Sequence, residues 1–301
     1  MNTQSDSRTA TRKLVQLIRS VETSDGAGVK LRRSVGNQRG LYLDPFLMLD
    51  EFGTDNPGDY IAGFPPHPHR GFETVTYMLD GRMQHKDHLG NVGDLGPGSV
   101  QWMTAGRGVI HSEMPLQESG RMRGFQLWLN LPAKEKMKPA WYRDIAAEEI
   151  PEAMLPGGGR VKVIAGAVSV GERVVSGPIN GPERRLSTDP RYLDLHLQPG
   201  ERFEHALPAE HTAFAYAYEG TARIGEGEDA RDLPRQAAGV LSPGERVVVS
   251  AGEVGARLIL IAGKPIREPV VQYGPFVMNT REEIEQAIQD YQRGEFAKVA
   301  A

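Results

Sequence analysis

One short sequence pattern occurs twice in the chain. The segment Y-M-L-D-G at 77–81 is matched by Y-A-Y-E-G at 216–220, and L-G-P-G at 95–98 is matched by L-S-P-G at 241–244. The offset is 139 residues for the first match (216 minus 77) and 146 for the second (241 minus 95). The second copy therefore has a slightly longer hairpin between the two blocks. This repeat predicts two copies of one β unit, with a domain boundary near the middle of the chain.

Turn-forming residues are frequent between the short apolar segments. The 301 residues include 35 Gly and 21 Pro, and the dipeptide Asp80-Gly81 favours a tight hairpin turn. Strand patterns are present at Val29–Val35, Phe46–Phe52 and Thr74–Leu79. Short strands punctuated by Gly and Pro indicate an all-β chain that forms barrels or sandwiches.

A single helix is predicted near the end of the chain. The segment Thr280-Arg-Glu-Glu283 has the form of a capping box, and it is followed by apolar residues along one helical face, namely Ile284, Ala287, Ile288 and Tyr291. A charged stretch with a Gly-rich end separates the two copies. We therefore expect an N-terminal domain at 1–138, a linker at 139–158, and a C-terminal domain at 159–301 that carries the helix.

Four residues of the first copy have the spacing of metal ligands. In an extended strand, side chains two residues apart point to the same side, so His67 and His69 share one face, and His111 and Glu113 share another. Two adjacent strands can bring these pairs opposite each other. The spacing therefore predicts a metal site of three imidazoles and one carboxylate in the N-terminal domain.

The backbone around the first histidine pair supports this prediction. Pro68 disfavours helical backbone at His67, and a proline has no N–H for a central strand ladder. The pair is therefore expected at a strand start or a sheet edge, facing a cavity mouth. Three nitrogens and one oxygen suit Fe(II), Ni(II), Cu(II), Mn(II) or Zn(II), and a six-coordinate ion keeps two positions open. The alternative, solvated loop histidines, fits any one of them alone better than it fits the two pairs together.

Longer motifs surround these residues: F-P-P-H-P-H-R-G-F-E-T-V-T-Y from position 64, Q-W-M-T-A-G-R-G-V-I-H-S-E-M-P from 101, and E-P-V-V-Q-Y-G-P-F-V-M-N-T from 268. Through them the sequence resembles the pirin family of bicupin proteins, over most of the chain. The resemblance implies two tandem cupin domains, each a β-barrel of the jelly-roll type, with few short helices. It also implies that the metal is held by the same four residues.

The resemblance implies two kinds of function. Some pirins resemble flavonol dioxygenases, which open quercetin with O2, so the expected partners are a small flavonol-like aromatic substrate and O2. Fe(II) is the expected metal, with Ni, Cu, Mn, Zn or Co open, and Glu113 is the expected catalytic residue because its second oxygen can take the substrate's proton. The alternative is a redox-sensitive regulator that binds a protein partner, a transcriptional cofactor or a metabolic-enzyme regulator. A metal retained only for stability is the third possibility.

The same offsets place non-ligand residues in the second copy. Adding 139 to the first histidine pair reaches Ala206 and Pro208, and adding 146 to the second pair reaches Arg257 and Ile259. The second barrel is therefore expected to be free of metal, and its histidines, His196, His205 and His211, are expected to be surface or hydrogen-bonded residues.

Three polar residues near the predicted site are left outside the ligand set. His85 and His88 are three apart, so in a strand they face opposite sides. Glu73 has the strand parity of His67 and His69, and for it we expect a structural part or one that orients a histidine.

Composition limits the remaining function classes. The net charge is −4, with acidic and basic residues interspersed, which indicates neither a nucleic-acid nor a membrane surface. The chain has no cysteine, which excludes disulfides and thiolate ligands. It has no apolar run long enough to span a bilayer and begins with a polar stretch, so a cytoplasmic protein is expected.

Overall fold

The computed structural model of this chain describes residues 10–38, 40–182 and 185–296. In chain order, the strands of the first half are β1 (Leu14–Arg19), β2 (Val21–Asp25), β3 (Val29–Arg33), β4 (Phe46–Thr54), β5 (Phe64–His69), β6 (Phe72–Asp80), β7 (Met83–Asp87), β8 (Val92–Leu95), β9 (Val100–Thr104), β10 (Val109–Pro115), β11 (Met122–Asn130) and β12 (Trp141–Ile145).

The second half continues with β13 (Glu152–Met154), β14 (Arg160–Ala165), β15 (Ala167–Val170), β16 (Arg173–Ser176), β17 (Arg191–Leu197), β18 (Arg202–Ala206), β19 (Thr212–Ile224), β20 (Arg231–Leu233), β21 (Ala237–Leu241), β22 (Arg246–Gly263), β23 (Val271–Tyr273), β24 (Phe276–Met278) and the helix α1 (Arg281–Gln292). Short 3₁₀ turns occur at Pro57–Asp59, Ala133–Glu135, Ala147–Glu149 and Gly227–Asp229.

The chain forms two compact units. Among the described residues, the first unit comprises Ser20–Ile150 and 266–296, and the second comprises Pro151–Pro265 and 10–19. Each unit is built of antiparallel strands around its own apolar interior. The predicted all-β fold of two barrels is confirmed.

The first unit contains a seven-stranded sheet of order β12-β9-β6-β11-β4-β3-β2 and a four-stranded sheet of order β5-β10-β7-β8. Alternate side chains of both sheets point into a shared core, because strand side chains alternate between faces. Leu31, Phe52 and Met78 come from the larger sheet, and Met83 and Leu95 come from the smaller one. This core therefore lies between the two sheets of the first unit.

The second unit repeats this arrangement. Its main path runs β1-β21-β19-β22-β17-β14-β13, and it matches the seven-stranded path of the first unit position by position. The long strands β19 and β22 also pair with β20 and β18, respectively. The strand order therefore shows two copies of one β unit, with β6 at the position of β19 as the first repeat block predicts. The second block is not an equivalent pair of turns, because 95–98 precedes β9 whereas 241–244 follows β21, the strand at the same position in the path.

The domain boundaries differ from those predicted. The expected linker at 139–158 contains β12, which pairs with β9 of the first unit, and β13, which pairs with β14 of the second. The C-terminal helix was assigned to the second domain, but residues from Ile266 onward belong to the first unit. Conversely, β1 near the N-terminus pairs with β21 of the second unit.

Buried polar contacts explain why the C-terminal segment joins the first unit. The Lys136 ammonium group donates to the carbonyl oxygens of Gly71 (2.7 Å) and Val277 (2.9 Å). The Arg70 guanidinium group donates to Asp290 Oδ2 of α1 (2.7 Å). Gly71 has a φ of +89°, and a Cβ built there would lie 2.0 Å from the Val277 carbonyl oxygen, so only glycine allows this approach.

The predicted capping box of α1 is present. The Thr280 hydroxyl accepts from the backbone N–H of Glu283 (3.2 Å), and the Glu283 carboxylate accepts from the backbone N–H of Thr280 (3.0 Å). Ile284 and Ala287 of the predicted apolar face are buried. No helix among the described residues has the length and apolar character needed to cross a membrane.

Candidate metal centre

Two paired strands carry the predicted ligands. β5 lies at the edge of the four-stranded sheet, where its prolines are tolerated, and it pairs with β10. In this register His111 lies directly opposite His67, and Val109 lies opposite His69. Directly opposed residues and residues two apart on one strand point to the same side. The three histidines therefore face the same side of the sheet.

The three imidazoles form one cluster. One nitrogen from each of His67, His69 and His111 lies within 4.8 Å of the other two. The Nε2 atoms of His67 and His69 are 2.9 Å apart. The His111 ring centroid is 4.4 Å from that of His67 and 4.9 Å from that of His69. The structure thus brings together three of the four residues that the spacing selected.

Burial keeps two of these rings neutral. It holds the pKa of His69 well below its ordinary value, and the neighbouring His67 lowers that pKa further, although the Pro275 carbonyl opposes the shift. Burial likewise lowers the pKa of His111, with smaller contributions from His69 and His67. A neutral imidazole has the free electron pair that a metal ion requires.

The donor atoms fit a divalent metal ion. His67 Nδ1 lies 2.8 Å from the Pro65 carbonyl oxygen, to which it can donate only as N–H, and this leaves the electron pair on Nε2. His111 Nε2 is buried and has no hydrogen-bond partner within the described chain. Two nitrogens at about 2.1 Å from one ion and at right angles are about 3 Å apart, which matches the His67–His69 separation.

Glu113 lies on the same strand face as His111 but outside the cluster. Its Oε1 is 3.0 Å from the Thr76 hydroxyl, and its Oε2 accepts from Gln126 Nε2 (3.3 Å). Thr76 and Gln126 are opposed across β6 and β11, and the Thr76 hydroxyl is also 2.6 Å from Gln126 Oε1. The buried carboxylate is thus held by two polar side chains and not by the imidazoles.

Glu73 has a structural part. The turn at Arg70 and Gly71 separates β5 from β6, so the strand parity counted along the sequence does not continue to Glu73. Its carboxylate accepts from Thr104 Oγ1 (2.6 Å) and Trp102 Nε1 (3.2 Å). These bonds join β6 to β9, and burial raises the pKa of this carboxyl.

His85 is the residue near the site that sequence reasoning missed. It and His88 do face different surroundings, as predicted, but His85 is buried, with its Nδ1 3.2 Å from His111 Nδ1. His88 Nδ1 instead accepts from the backbone N–H of Ile110 (3.2 Å). His85 and His88 are three residues apart and face opposite sides of β7 and its continuation. Their spacing therefore predicts that one of the two points into the barrel.

The histidines of the second unit are more buried than predicted. His205 and His211 are both buried, and His205 Nε2 has no hydrogen-bond partner in the described part of the chain. Burial lowers the pKa of His205 to about 4. His196 bonds to Asp194 (2.9 Å), as the hydrogen-bonded alternative predicted.

A cavity of about 590 Å³ opens beside the cluster, inside the first unit. His67, His69 and Glu113 line it, and its apolar wall consists of Leu31, Met48, Phe52, Phe64, Met83 and Trp128. Arg33 and Asp50 also line it, joined by two hydrogen bonds of 2.8 and 2.7 Å. Asp25, Thr76, Gln126 and Gln272 are further polar residues of the lining. A volume between roughly 300 and 1,000 Å³ is typical of a small-molecule site.

Comparisons with known proteins agree with this architecture. The family model described as Pirin matches residues 28–129, and the model described as Pirin C-terminal cupin domain matches residues 192–297. A protein of Pseudomonas aeruginosa, provisionally named a quercetin 2,3-dioxygenase, is 53% identical over 286 residues, which are 95% of this chain and 98% of that protein. Pirin of Homo sapiens is 41% identical over 94% of this chain and 93% of its own length.

Solved structures show the same fold. The crystal structure of a quercetin 2,3-dioxygenase from Acinetobacter baumannii has a TM-score of 0.85 at 32% identity and covers 97% of this chain and 100% of that chain. A bacterial pirin of Escherichia coli in complex with nickel(II) has a TM-score of 0.62 at 18% identity, covers 83% of this chain and 98% of that chain, and is similar in fold alone. Two cupin domains, the matched family models and the identity to curated pirins lead to one conclusion: this chain belongs to the pirin family.

Proposed function

We propose that the first unit binds one divalent metal ion through His67, His69 and His111, with Glu113 as the fourth ligand, and that it opens flavonols such as quercetin with O2. The observation that carries the proposal is the cluster of three imidazoles, two of them held neutral, beside a cavity with an apolar wall. The relatives named as quercetin 2,3-dioxygenases support the choice of reaction.

The metal we propose is Fe(II), with Ni, Cu, Mn, Zn and Co as alternatives, because imidazole binds all of these ions. When bound, such an ion supplies Lewis acidity toward a substrate hydroxyl and an open position for O2. Substrate binding, substrate orientation and proton transfer are the tasks of the protein's own residues.

The cavity wall binds and orients the substrate. Flat aromatic rings can pack on Phe52, Phe64 and Trp128, and this contact also excludes water from the imidazoles. The Arg33–Asp50 pair is the polar group on the same wall that can hydrogen-bond a substrate hydroxyl. These contacts fit a small aromatic molecule with several hydroxyl groups.

Glu113 is the residue placed to move a proton. Its carboxylate lines the cavity and is hydrogen-bonded to Thr76 and Gln126, so it has to turn from these partners to reach an ion at the imidazole cluster. We propose that one carboxylate oxygen completes the ligand set and that the other accepts the proton of the substrate hydroxyl. Proton transfer by a positioned side chain contributes about 10²–10⁴-fold in rate.

Anaerobic reconstitution tests the metal site. The parent protein is expected to bind one Fe(II) per chain and to consume O2 with quercetin at an oxygen electrode, while His69→Ala is expected to do neither. His205→Phe, which removes a buried histidine of the second unit, is the matched control and should behave as the parent. The proposal fails if His69→Ala loses its metal yet consumes O2 with quercetin at the parent rate.

A Glu113→Gln variant separates the two parts given to this residue. Loss of a metal–oxygen bond lowers metal affinity, whereas loss of the proton acceptor lowers turnover by about 10²–10⁴-fold at saturating metal. If both metal affinity and turnover match the parent, Glu113 has neither part.

The alternative is a redox-sensitive regulatory protein that binds a protein partner. A parent protein that binds iron but consumes no O2 with any member of a flavonol panel would favour it. Pull-downs with reduced and oxidised protein would then be expected to recover different partners. We propose a cytoplasmic location for the protein in either case.

A further inference from the structure

His85 lies behind the proposed metal centre. In the register of β7 and β10, His85 is opposite Glu113, and Asp87 is opposite His111. His85 therefore points to the same side of the sheet as the ligands. Its ring centroid is 4.9 Å from that of His111, and the two Nδ1 atoms are 3.2 Å apart.

The contact between the two Nδ1 atoms allows two arrangements of hydrogens. If His111 Nδ1 donates, the electron pair of His111 is on Nε2, the buried atom that has no other partner among the described residues. If His85 Nδ1 donates, the hydrogen of His111 is on Nε2, and that atom cannot bind a metal ion. The direction of this hydrogen bond therefore decides whether His111 can act as a ligand through Nε2.

The surroundings of His85 favour the first arrangement. Glu113, whose side chain carries a carboxylate, lies directly opposite His85 in the register of β7 and β10. Nearby negative charge makes a ring nitrogen a better acceptor. The rings around His111 are imidazoles, with the centroids of His67, His69 and His85 between 4.4 and 4.9 Å from its own.

Burial of His85 has a cost that an apolar residue would avoid. Its Nε2 is buried and has no hydrogen-bond partner in the described chain, although the Tyr142 ring packs 5.5 Å away. A buried polar group that has no hydrogen-bond partner destabilises the folded protein. The hydrogen bond to His111 is what distinguishes this ring from an apolar side chain of similar size.

We propose that His85 is a positioning residue of the metal site: its Nδ1 accepts the Nδ1 hydrogen of His111 and thereby keeps the Nε2 electron pair of His111 directed at the metal. The inference rests on the proposed metal centre, and it extends that centre to a fifth residue which itself does not touch the ion. Such partners orient a ligand and commonly change metal affinity by about 10–100-fold.

The first test uses the metal-free parent protein. Long-range ¹H–¹⁵N NMR of ¹⁵N-histidine-labelled protein identifies which ring nitrogen of each histidine carries the hydrogen, and His85→Asn and His111→Asn spectra assign the signals. The hydrogen of His111 is expected on Nδ1, and that of His85 on Nε2. A hydrogen on His111 Nε2 overturns the proposal without any measurement on metal.

The second test compares two isosteric variants during Co(II) titration. Asparagine places an amide oxygen where His85 Nδ1 stands, whereas leucine has the same shape and accepts nothing. His85→Leu is expected to bind Co(II) about 10–100-fold more weakly and to shift the visible absorption bands of the bound ion, and His85→Asn is expected to recover most of both. His205→Phe should match the parent in affinity and spectrum.

The outcomes separate the two proposals. If His85→Leu and the parent share one affinity and one spectrum, His85 does not position the ligand, although the metal centre stands. If Asn and Leu weaken binding equally, the hydrogen bond is not the cause and the inference fails. If the parent itself binds no Co(II), the proposed function fails, while the NMR result still shows whether the His85–His111 bond has the stated direction.

Discussion

The affinity for metal should change little between pH 7.0 and pH 5.5. A metal ion competes with protons for imidazole nitrogens, and an imidazole with the ordinary pKa of 6.5 is about ten-elevenths protonated at pH 5.5. Two such ligands would together weaken binding about 70-fold between these two pH values, or about 2.5 kcal/mol. His69 and His111 avoid this loss because burial holds the pKa of each well below 6.5, so both remain neutral as the pH falls. Any decrease that remains comes from the other ligands.

Calorimetric titration with Co(II) in two buffers of different ionisation enthalpy measures both the affinity and the number of protons released. Below pH 6.5 the parent is expected to lose less than about ten-fold in affinity and to release at most one proton per ion bound, because two of the three imidazoles are already neutral. In the Glu113→Gln variant the carboxyl group is absent, so the proton count reports on the imidazoles alone. Release of two or more protons from that variant at pH 5.5 would refute the reasoning, because the second proton must then come from His69 or His111.

Three further predictions concern the fold. Asp290→Asn leaves the buried Arg70 without its anionic partner and should destabilise the first unit by about 3 kcal/mol in urea. This is the low end for a broken buried pair, because Arg70 keeps two carbonyl acceptors. All three tryptophans lie in the first unit, so an unchanged midpoint of unfolding by tryptophan fluorescence would contradict this prediction. Thr280→Ala should cost about 1 kcal/mol in the same assay and Thr280→Ser much less, since only the alanine lacks the capping oxygen. The unfolded chain takes up a proton on His205 near pH 6.5 but the folded chain only near pH 4, so the second unit should lose about 3 kcal/mol of stability as pH falls through this range. Hydrogen exchange measures this stability, and the His205→Phe variant should not show the loss. An equal loss in the parent and in His205→Phe would contradict the prediction.

Local periodicity was sufficient to predict where the three imidazoles meet. His67 and His69 lie on one strand face because they are two residues apart and Pro68 favours extended backbone at His67. His111 follows from the same alternation in β10. The alternation of side chains does not predict which hydrogen-bond partners on other strands a side chain will have. Glu113 is on the predicted face, but its carboxylate is hydrogen-bonded by Thr76 and Gln126, which lie on two other strands.

The pairing of distant segments was not predictable from composition or spacing. The capping box predicted α1 because its bonds join residues three apart, but it does not indicate that the contacts of this helix group it with the first unit. The contacts that hold the C-terminal segment to the first unit are single long-range bonds, such as those of Lys136 to Val277 and of Arg70 to Asp290. A short edge strand such as β1 likewise contains no information about which sheet it will join.

This exchange of the chain ends has a consequence for synthesis on the ribosome. Domains generally fold as they emerge, the N-terminal one first. Here the barrel with the histidine cluster is encoded first but finished last, because the partner of Arg70 is Asp290 and β24 follows the whole second barrel. In the nascent first barrel Arg70 therefore has no anionic partner until α1 has been synthesised, whereas β1, which pairs with β21, is synthesised before every other strand of the second barrel.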